Sequence, residues 1–124
     1  MNKINAVNWF EIIVTDFDRA KKFYESILAT PLTEQANPMG RMAMFPCDME
    51  KGVGGAITQM EGFSSGAGGT VVYLNVEGDL DGVIARTPAA GGRILRPKFP
   101  IGPWGSIAIL QDTEGNVFGV HSLT

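Results

Sequence analysis

Residues 8–24 read NWFEIIVTDFDRAKKFY, a run that contains a strand, a turn and most of a helix. One face of the predicted strand is entirely apolar: Phe10, Ile12 and Val14. The other face has an acid between two apolar residues: Trp9, Glu11 and Ile13. Asp16 is a typical helix N-cap, and apolar residues recur at helical spacing from it to about residue 29. We therefore predict that the helix packs on the all-apolar face, so that Glu11 points to the opposite side of the sheet.

A fainter copy of this pattern begins at Val71 and reads VVYLNVEGDLDGVIA. Its helix is predicted to begin near Asp79 and to be shortened by Pro88. The apolar face of its strand comprises three residues: Val72, Leu74 and Val76. Short strands are predicted after each helix, near 31–36, 41–47 and 53–60, and near 93–95, 106–111 and 116–122. The 124 residues thus indicate one domain with an α+β fold, built from two modules at about 5–62 and 69–124.

Composition argues against several classes of protein. A net charge of −3 and a pI near 5.0, without a local cluster of Lys and Arg, argue against a nucleic-acid partner. The apolar runs are far shorter than the ~20 residues that cross a bilayer, and the first residues lack the apolar block of a signal peptide. Cys47 is the single cysteine of the sequence, so an internal disulfide is impossible. We expect a cytoplasmic protein with no membrane partner.

Three motifs, in this order and spacing, resemble the vicinal oxygen chelate superfamily of glyoxalase I, bleomycin resistance proteins and extradiol dioxygenases. They are Val14-Thr15-Asp16 leading into RAKKFY at 19–24, AAGG at 89–92 and DTEGN at 112–116. The resemblance covers nearly the whole chain. It implies that two βαβββ modules form an open, U-shaped mixed sheet around a cleft, with the helices on the outer face. It also implies a homodimer.

Catalytic members of that superfamily hold a divalent metal with His, Glu or Gln side chains on inward-facing strands. The resemblance assigns four ligand positions to this chain: Trp9, Val71, Gly119, and Gly55 or Ala56. None of these side chains can ligate a metal, so the chain resembles a member without the usual metal ligands, and we expect no cofactor. A rearranged site at Glu11 and His121 stays open, although two ligands are fewer than a tight divalent site uses.

Glu11 and His121 are the candidate catalytic residues. Burial of a charged acid costs several kcal/mol unless the acid is paired or hydrated, so Glu11 on an apolar face is a candidate general base or ligand-binding group. His121 can shuttle a proton near neutral pH. Each has a structural alternative, in which Glu11 pairs with a nearby cation or with His121, and His121 is a hydrogen-bonded or surface residue.

Five residues are candidates for contact with a ligand: Trp9, Tyr73, Asn75, Lys98 and Trp104. Trp9 and Tyr73 offer flat apolar surfaces to a planar ligand, and Asn75 offers a donor and an acceptor. Lys98 and Trp104 lie in a proline-rich segment, 96–105, which is predicted to form a rigid loop at the mouth of the cleft. The alternatives are that the aromatic side chains only fill the core and that the loop is a connector or a dimer contact.

Two functions remain open on the sequence. The first is a protein that binds a small organic molecule in the cleft between its modules, without a catalytic metal. The second is an enzyme, either a glyoxalase-like lyase or isomerase or a relative of the dioxygenases, that acts on a small carbonyl compound. Glu11 and His121 would then be an acid/base pair or noncanonical metal ligands. The missing ligands favour binding, and a fold alone does not identify the ligand.

Overall fold

A computed structural model describes residues 3–37 and 39–124. The chain divides into two compact units. We call Trp9–Val71 the N-unit, and Val72–Thr124 together with the residues up to Asn8 the C-unit. In the described ranges, no helix is both long enough and apolar enough to cross a bilayer.

The N-unit is built from β1 (Val7–Ile13), α1 (Phe17–Leu28), β2 (Thr33–Asn37), β3 (Gly40–Met44) and β4 (Gly54–Met60). The first two residues of β1 belong to the C-unit. The strands lie in the order β2-β3-β4-β1, with β1 parallel to β4 and the other neighbours antiparallel. The strands predicted for the first module are therefore confirmed, apart from their exact ends.

Helix α1 begins where the sequence predicts, because the Asp16 carboxylate accepts a 3.1 Å hydrogen bond from the backbone N–H of Arg19. A buried cluster lies beneath the helix: Phe17, Leu32, Ala43 and Ile57. Ile12 and Val14 of β1 and its following turn pack against this cluster. Helix α1 thus covers the all-apolar face of β1, as predicted, and Glu11 lies on the opposite face.

The C-unit repeats the arrangement with β5 (Thr70–Asn75), α2 (Leu80–Arg86), β6 (Arg93–Pro100), a 3₁₀ turn (Gly102–Trp104), β7 (Ser106–Gln111) and β8 (Val117–Ser122). The first two residues of β5 belong to the N-unit. The strands lie in the order β5-β8-β7-β6, with β5 parallel to β8 and the other neighbours antiparallel. The predicted α+β fold class with two βαβββ modules is confirmed.

Helix α2 has only seven residues and ends at Arg86, shortly before Pro88, which has no N–H to continue the helical hydrogen bonds. It is anchored by a buried cluster: Leu80, Ala108, Leu110 and Val120. Val76 packs against this cluster, whereas Val72 and Leu74 are each 37% exposed. The predicted apolar face of β5 is therefore covered at Val76 only, because a helix of about 10 Å is too short to cover the whole strand.

The prediction for residues 93–105 is wrong in part. The sequence predicts a strand near 93–95 and a loop over 96–105, whereas β6 extends from Arg93 to Pro100. Its prolines at 97 and 100 are tolerated because β6 is the edge strand of the C-unit sheet, where a missing N–H can face away from the ladder. The register with β7 shifts on both sides of Arg96, as at a β-bulge. The loop is thus reduced to residues 101–105.

Candidate functional site

Glu11 is the buried acid of the N-unit, with 3% of its surface exposed. The parallel strands β1 and β4 align Glu11 with Ala56 and Ile13 with Thr58. This register brings the Thr58 hydroxyl to 2.6 Å from Glu11 Oε2, to which it donates a hydrogen bond. Thr58 has no exposed surface, so the bond is shielded from water. The hydrogen bond fixes the carboxylate on the sheet face opposite α1.

Apart from Glu11, that face of the N-unit is uncharged. Cross-strand pairing places Met42 and Met44 of β3 beside Thr58 and Ala56 of β4. The Trp9 ring and the Met49 side chain lie over Gly54, where an added Cβ would be 3.1 Å from the ring. Among the described residues of β1–β4, Glu11 is the one ionisable side chain on this face.

His121, the other predicted catalytic residue, lies on β8 of the C-unit. Its Nδ1 is 2.9 Å from Asn8 Nδ2, and its Nε2 is 2.6 Å from the backbone oxygen of Trp104. A neutral imidazole satisfies both contacts, because Nδ1 then accepts from the Asn8 amide and Nε2–H donates to the carbonyl. His121 thereby connects Asn8 to the turn at Gly102–Trp104, which favours the structural alternative for this residue.

Two predicted ligand contacts, Tyr73 and Asn75, lie on β5. Tyr73 is buried, and its ring covers Gly119, its partner on β8. Asn75 Nδ2 donates to the Asn5 carbonyl across 3.1 Å, and Asn75 Oδ1 accepts from the backbone N–H of Glu77 across 3.1 Å. The Asn75 amide therefore already has backbone partners on both of its polar atoms, whereas Tyr73 presents an aromatic ring on the face opposite α2.

The remaining predicted contacts are Lys98 and Trp104. Lys98 lies in strand β6 rather than in a loop, and its Nζ is 3.2 Å from Asp81 Oδ1 in α2. Trp104 ends the 3₁₀ turn and is 49% exposed. The structure thus gives Lys98 an ion pair at the surface and leaves the Trp104 ring accessible to solvent.

Three acids with a lowered pKa stabilise local structure in the two units. The backbone N–H of Leu123, 2.6 Å from Oε1, and then the Thr124 hydroxyl hold the pKa of the Glu77 carboxyl below its ordinary value. The Asn116 side chain and backbone do the same for the pKa of Asp112 in the β7–β8 turn. The Leu32 backbone N–H lowers the pKa of Glu25 after α1. These groups fix a turn and two chain segments.

A surface groove of 490 Å³ lies against α1 in the N-unit. Its apolar lining comes mainly from β1, the residue after it and the helix: Ile12, Ile13, Val14, Ala20, Phe23 and Tyr24. Ser65 and Thr70 close its other side. Neither Glu11 nor Thr58 lines the groove, so the groove and the buried acid are separate features.

Residues 6–120 match the family model of the Glyoxalase/Bleomycin resistance protein/Dioxygenase superfamily. The chain belongs to this superfamily. The resemblance found in the sequence is therefore confirmed. A curated member, "Putative glyoxylase CFP32" of Mycobacterium bovis, is 26% identical to the chain over 118 residues, which cover 91% of this chain and 44% of that protein. The chain thus spans less than half the length of this curated relative.

Solved structures share the fold of this superfamily member. Methylmalonyl-CoA epimerase from Mycobacterium tuberculosis has a TM-score of 0.68 and 18% identity, with 100% of this chain and 93% of that chain covered. A Streptomyces coelicolor methylmalonyl-CoA epimerase has a TM-score of 0.66 and 19% identity, with 97% and 98% covered. Hypothetical protein BH1468 from Bacillus halodurans has a TM-score of 0.68 and 15% identity, with 97% and 95% covered. At these identities the likeness shows the fold alone.

The positions that the resemblance assigns to metal ligands carry no side chain with a ligating group: Trp9, Val71, Gly119, and Gly55 or Ala56. The Tyr73 ring covers Gly119. Gly55 lies under the Phe10 ring on the side of α1. Within the described ranges, no group of three or more His, Cys, Asp or Glu side chains is placed to hold a metal ion.

No local pattern of the sequence predicts the residues that contact Glu11 and His121. Thr58 is not predictable as a partner of Glu11, because the register of β1 against β4 joins residues 47 positions apart. Asn8 and His121 are likewise distant in the sequence. The contact of Met49 with Gly54 depends on the path of a loop. One sequence pattern does bear on Thr58: Gly54, Ala56 and Thr58 are every second residue of a predicted strand, so their side chains lie on the same face of the sheet.

Proposed function

We propose that this superfamily member binds a small organic molecule, without a catalytic metal, through the sheet face that carries Glu11. The observation that carries the proposal is the buried hydrogen bond between Thr58 and Glu11. An apolar residue at position 11 would pack on this face without the cost of desolvating a carboxylate. Buried carboxylates with specific partners concentrate at binding and catalytic sites.

Trp9 and Glu11 are the proposed contacts on this face of the N-unit. Trp9 supplies aromatic surface, and Glu11 supplies an acceptor that fixes the orientation of a ligand. Tyr73 is 3% exposed in the C-unit, and its contact with a ligand stays a prediction from the sequence. We do not propose Asn75 and Lys98 as ligand contacts, because the structure gives both of them partners within the C-unit. Trp104 is 49% exposed in the C-unit, and its contact with a ligand likewise stays a prediction. We also expect a homodimer in the cytoplasm, as the family resemblance and the composition suggest.

A lyase or isomerase acting on a small carbonyl compound is the second candidate. It is favoured by the buried Glu11 carboxylate beside a hydroxyl, and by a relative named as a glyoxylase and a fold shared with epimerases. In this reaction Glu11 would remove the proton next to the carbonyl group. His121 is not assigned a part, because both of its ring nitrogens have partners in the C-unit.

Calorimetric titration with a panel of small aromatic and carbonyl compounds tests the binding function. A Glu11→Gln variant is expected to lose affinity for the compounds that bind, whereas Glu34→Gln is expected to keep it. Glu34 is the matched control, because the same charge is removed from an exposed side chain that lies 3.6 Å from Arg41. Compounds that keep their affinity for Glu11→Gln and lose it in Phe23→Ser would bind in the groove against α1 and would overturn the proposal.

The second candidate function, a lyase or isomerase, is tested separately by proton exchange in D₂O. The hemithioacetal of methylglyoxal and glutathione is a suitable probe, because it carries an acidic proton next to a carbonyl group. Deuterium incorporation by the wild-type protein that is abolished in Glu11→Gln would establish the second function. Binding without exchange would leave ligand binding as the function.

A further inference from the structure

The Glu11 face of the N-unit is unusually rich in methionine. Met42 and Met44 project from β3, and Met49 reaches from the β3–β4 loop over Gly54. The Trp9 ring lies at the same glycine. We call these four side chains the methionine face: Trp9, Met42, Met44 and Met49.

The methionine face is accessible, and the strand beneath it is not. Trp9, Met42 and Met44 are half-buried and Met49 is 50% exposed, whereas Gly54 and Ala56 of β4 are buried. Because β4 has a glycine at position 54, the Trp9 ring and the Met49 side chain lie over the strand there. An added Cβ at Gly54 would collide with Met49, so the glycine provides the space that the thioether occupies.

Methionine and tryptophan together favour aromatic ligands. A thioether is polarisable and makes favourable contacts with aromatic rings, and Met adapts its shape through three rotatable bonds. Tryptophan is the side chain that best attracts a cation over its ring. The Glu11 carboxylate is 3% exposed in this structure, so side chains of this face must move before a ligand can reach it.

Glu11 decides the charge of the ligand. It is the one ionisable side chain that the described part of β1–β4 presents on this face, and Thr58 holds its Oε2 in place. Water screens a carboxylate poorly in such surroundings, so an anion is repelled and an N–H donor or a cation is attracted.

We propose that the methionine face binds a flat aromatic amine, with the ring against Trp9 and the thioethers and the amino group directed to Glu11. The inference rests on the proposed function and narrows its ligand to one chemical class. It adds Met42, Met44 and Met49 to the residues that contact the ligand.

Two fluorescent probes with similar three-ring systems and opposite charge test the inference. Proflavine is a planar aromatic amine that is cationic at neutral pH, and acridine carboxylate is an anion. We expect proflavine to bind with an affinity at least about tenfold higher than that of acridine carboxylate, as fluorescence anisotropy would measure, because one hydrogen bond to a charged group accounts for such a factor.

Variants distinguish the contribution of the Glu11 charge to binding from the contribution of the methionine thioethers. Glu11→Gln is expected to remove most of the preference for proflavine over acridine carboxylate. Met49→Ala is expected to lower the affinity for proflavine several-fold. Met49→Leu is expected to retain more of this affinity, because it keeps the apolar volume. Met49 is half-exposed in a loop, so its substitution tests the inference even if Glu11→Gln fails to fold.

The outcomes distinguish this inference from the proposed function. One outcome is that acridine carboxylate binds as tightly as proflavine or more tightly, with an affinity that Met49→Ala lowers. This result would contradict the inference that the ligand is an aromatic amine, but it would support ligand binding by this face. Proflavine binding that neither Glu11→Gln nor Met49→Ala alters would overturn the site itself, and with it the proposed function of this face.

Discussion

The Thr58 hydroxyl donates a 2.6 Å hydrogen bond to Glu11 Oε2, and both side chains are almost inaccessible to water. Their strands are neighbours only because β1 and β4 pair in parallel. Thr58 is β-branched, so few rotamers are open to it, and its backbone oxygen accepts a 2.9 Å hydrogen bond from Val14 N–H. The donor is therefore rigid, and the orientation of the carboxylate follows from it.

Thr58→Val is expected to lower the free energy of unfolding by about 1–3 kcal/mol, because the isosteric side chain removes a buried donor from a carboxylate. Thr58→Ser keeps the hydroxyl and is the control. Urea denaturation of both variants measures the difference. A Thr58→Val protein as stable as the wild type, beside a destabilised Thr58→Ser protein, would show that packing of the methyl group, rather than the hydrogen bond, stabilises this position.

Glu77 is expected to make stability depend on acidic pH. Its pKa in the folded protein is lowered from the ordinary 4.5, chiefly by the Leu123 backbone N–H and the Thr124 hydroxyl. A folded pKa below the unfolded one means that the stabilisation is fully present above about 4.5 and is lost as the pH falls through the folded pKa. Glu77→Gln should therefore flatten the decline of stability in acid, measured by urea denaturation from neutral to acidic pH. An identical slope for the wild-type protein and Glu77→Gln would contradict the role of Glu77.

Gly119→Ala is expected to destabilise the C-unit by about 1–3 kcal/mol, because its Cβ would overlap the Tyr73 ring. Gly52→Ala is the control, since an added Cβ there meets no atom closer than 3.4 Å. Thermal unfolding measures the stability of the two variants. A Gly119→Ala protein as stable as Gly52→Ala would show that the ring has room to move.

Divalent metals are expected to leave the melting temperature unchanged. Specific binding to the native state must raise stability, and Trp9, Val71 and Gly119 have no ligating side-chain atom. Thermal unfolding with Ni²⁺, Zn²⁺, Mn²⁺ and Fe²⁺, together with the metal content of protein purified without chelator, provides the test. A stoichiometric metal that disappears in Glu11→Ala or His121→Ala would contradict the metal-free account.

Most of the fold could be predicted because its signals are local. Asp16 marks the start of α1, Pro88 limits α2, and alternation assigns Glu11 to the face away from α1. The extent of β6 could not be predicted, because a proline is acceptable in a strand only at an edge, and edge position depends on the whole sheet.

The contacts of the candidate site could be predicted only in part. The sequence places Glu11 on the face away from α1, but it does not pair Glu11 with Thr58, since register between distant strands is not a local property. His121 was identified as a polar residue, but its partners Asn8 and Trp104 come from two other parts of the chain. The homodimer, the cytoplasmic location and the absence of a cofactor stay predictions.

The central claim is that a ligand binds on the Glu11 face of the N-unit, and an NMR titration with proflavine tests it most directly. Backbone ¹H–¹⁵N spectra report which amides change as the ligand is added. We expect the largest changes at residues 9–13 of β1 and 54–58 of β4, and smaller ones after Met49→Ala. Changes confined to residues 19–24 of α1 and the segment 65–70 would place the ligand in the groove against the helix and would contradict the account.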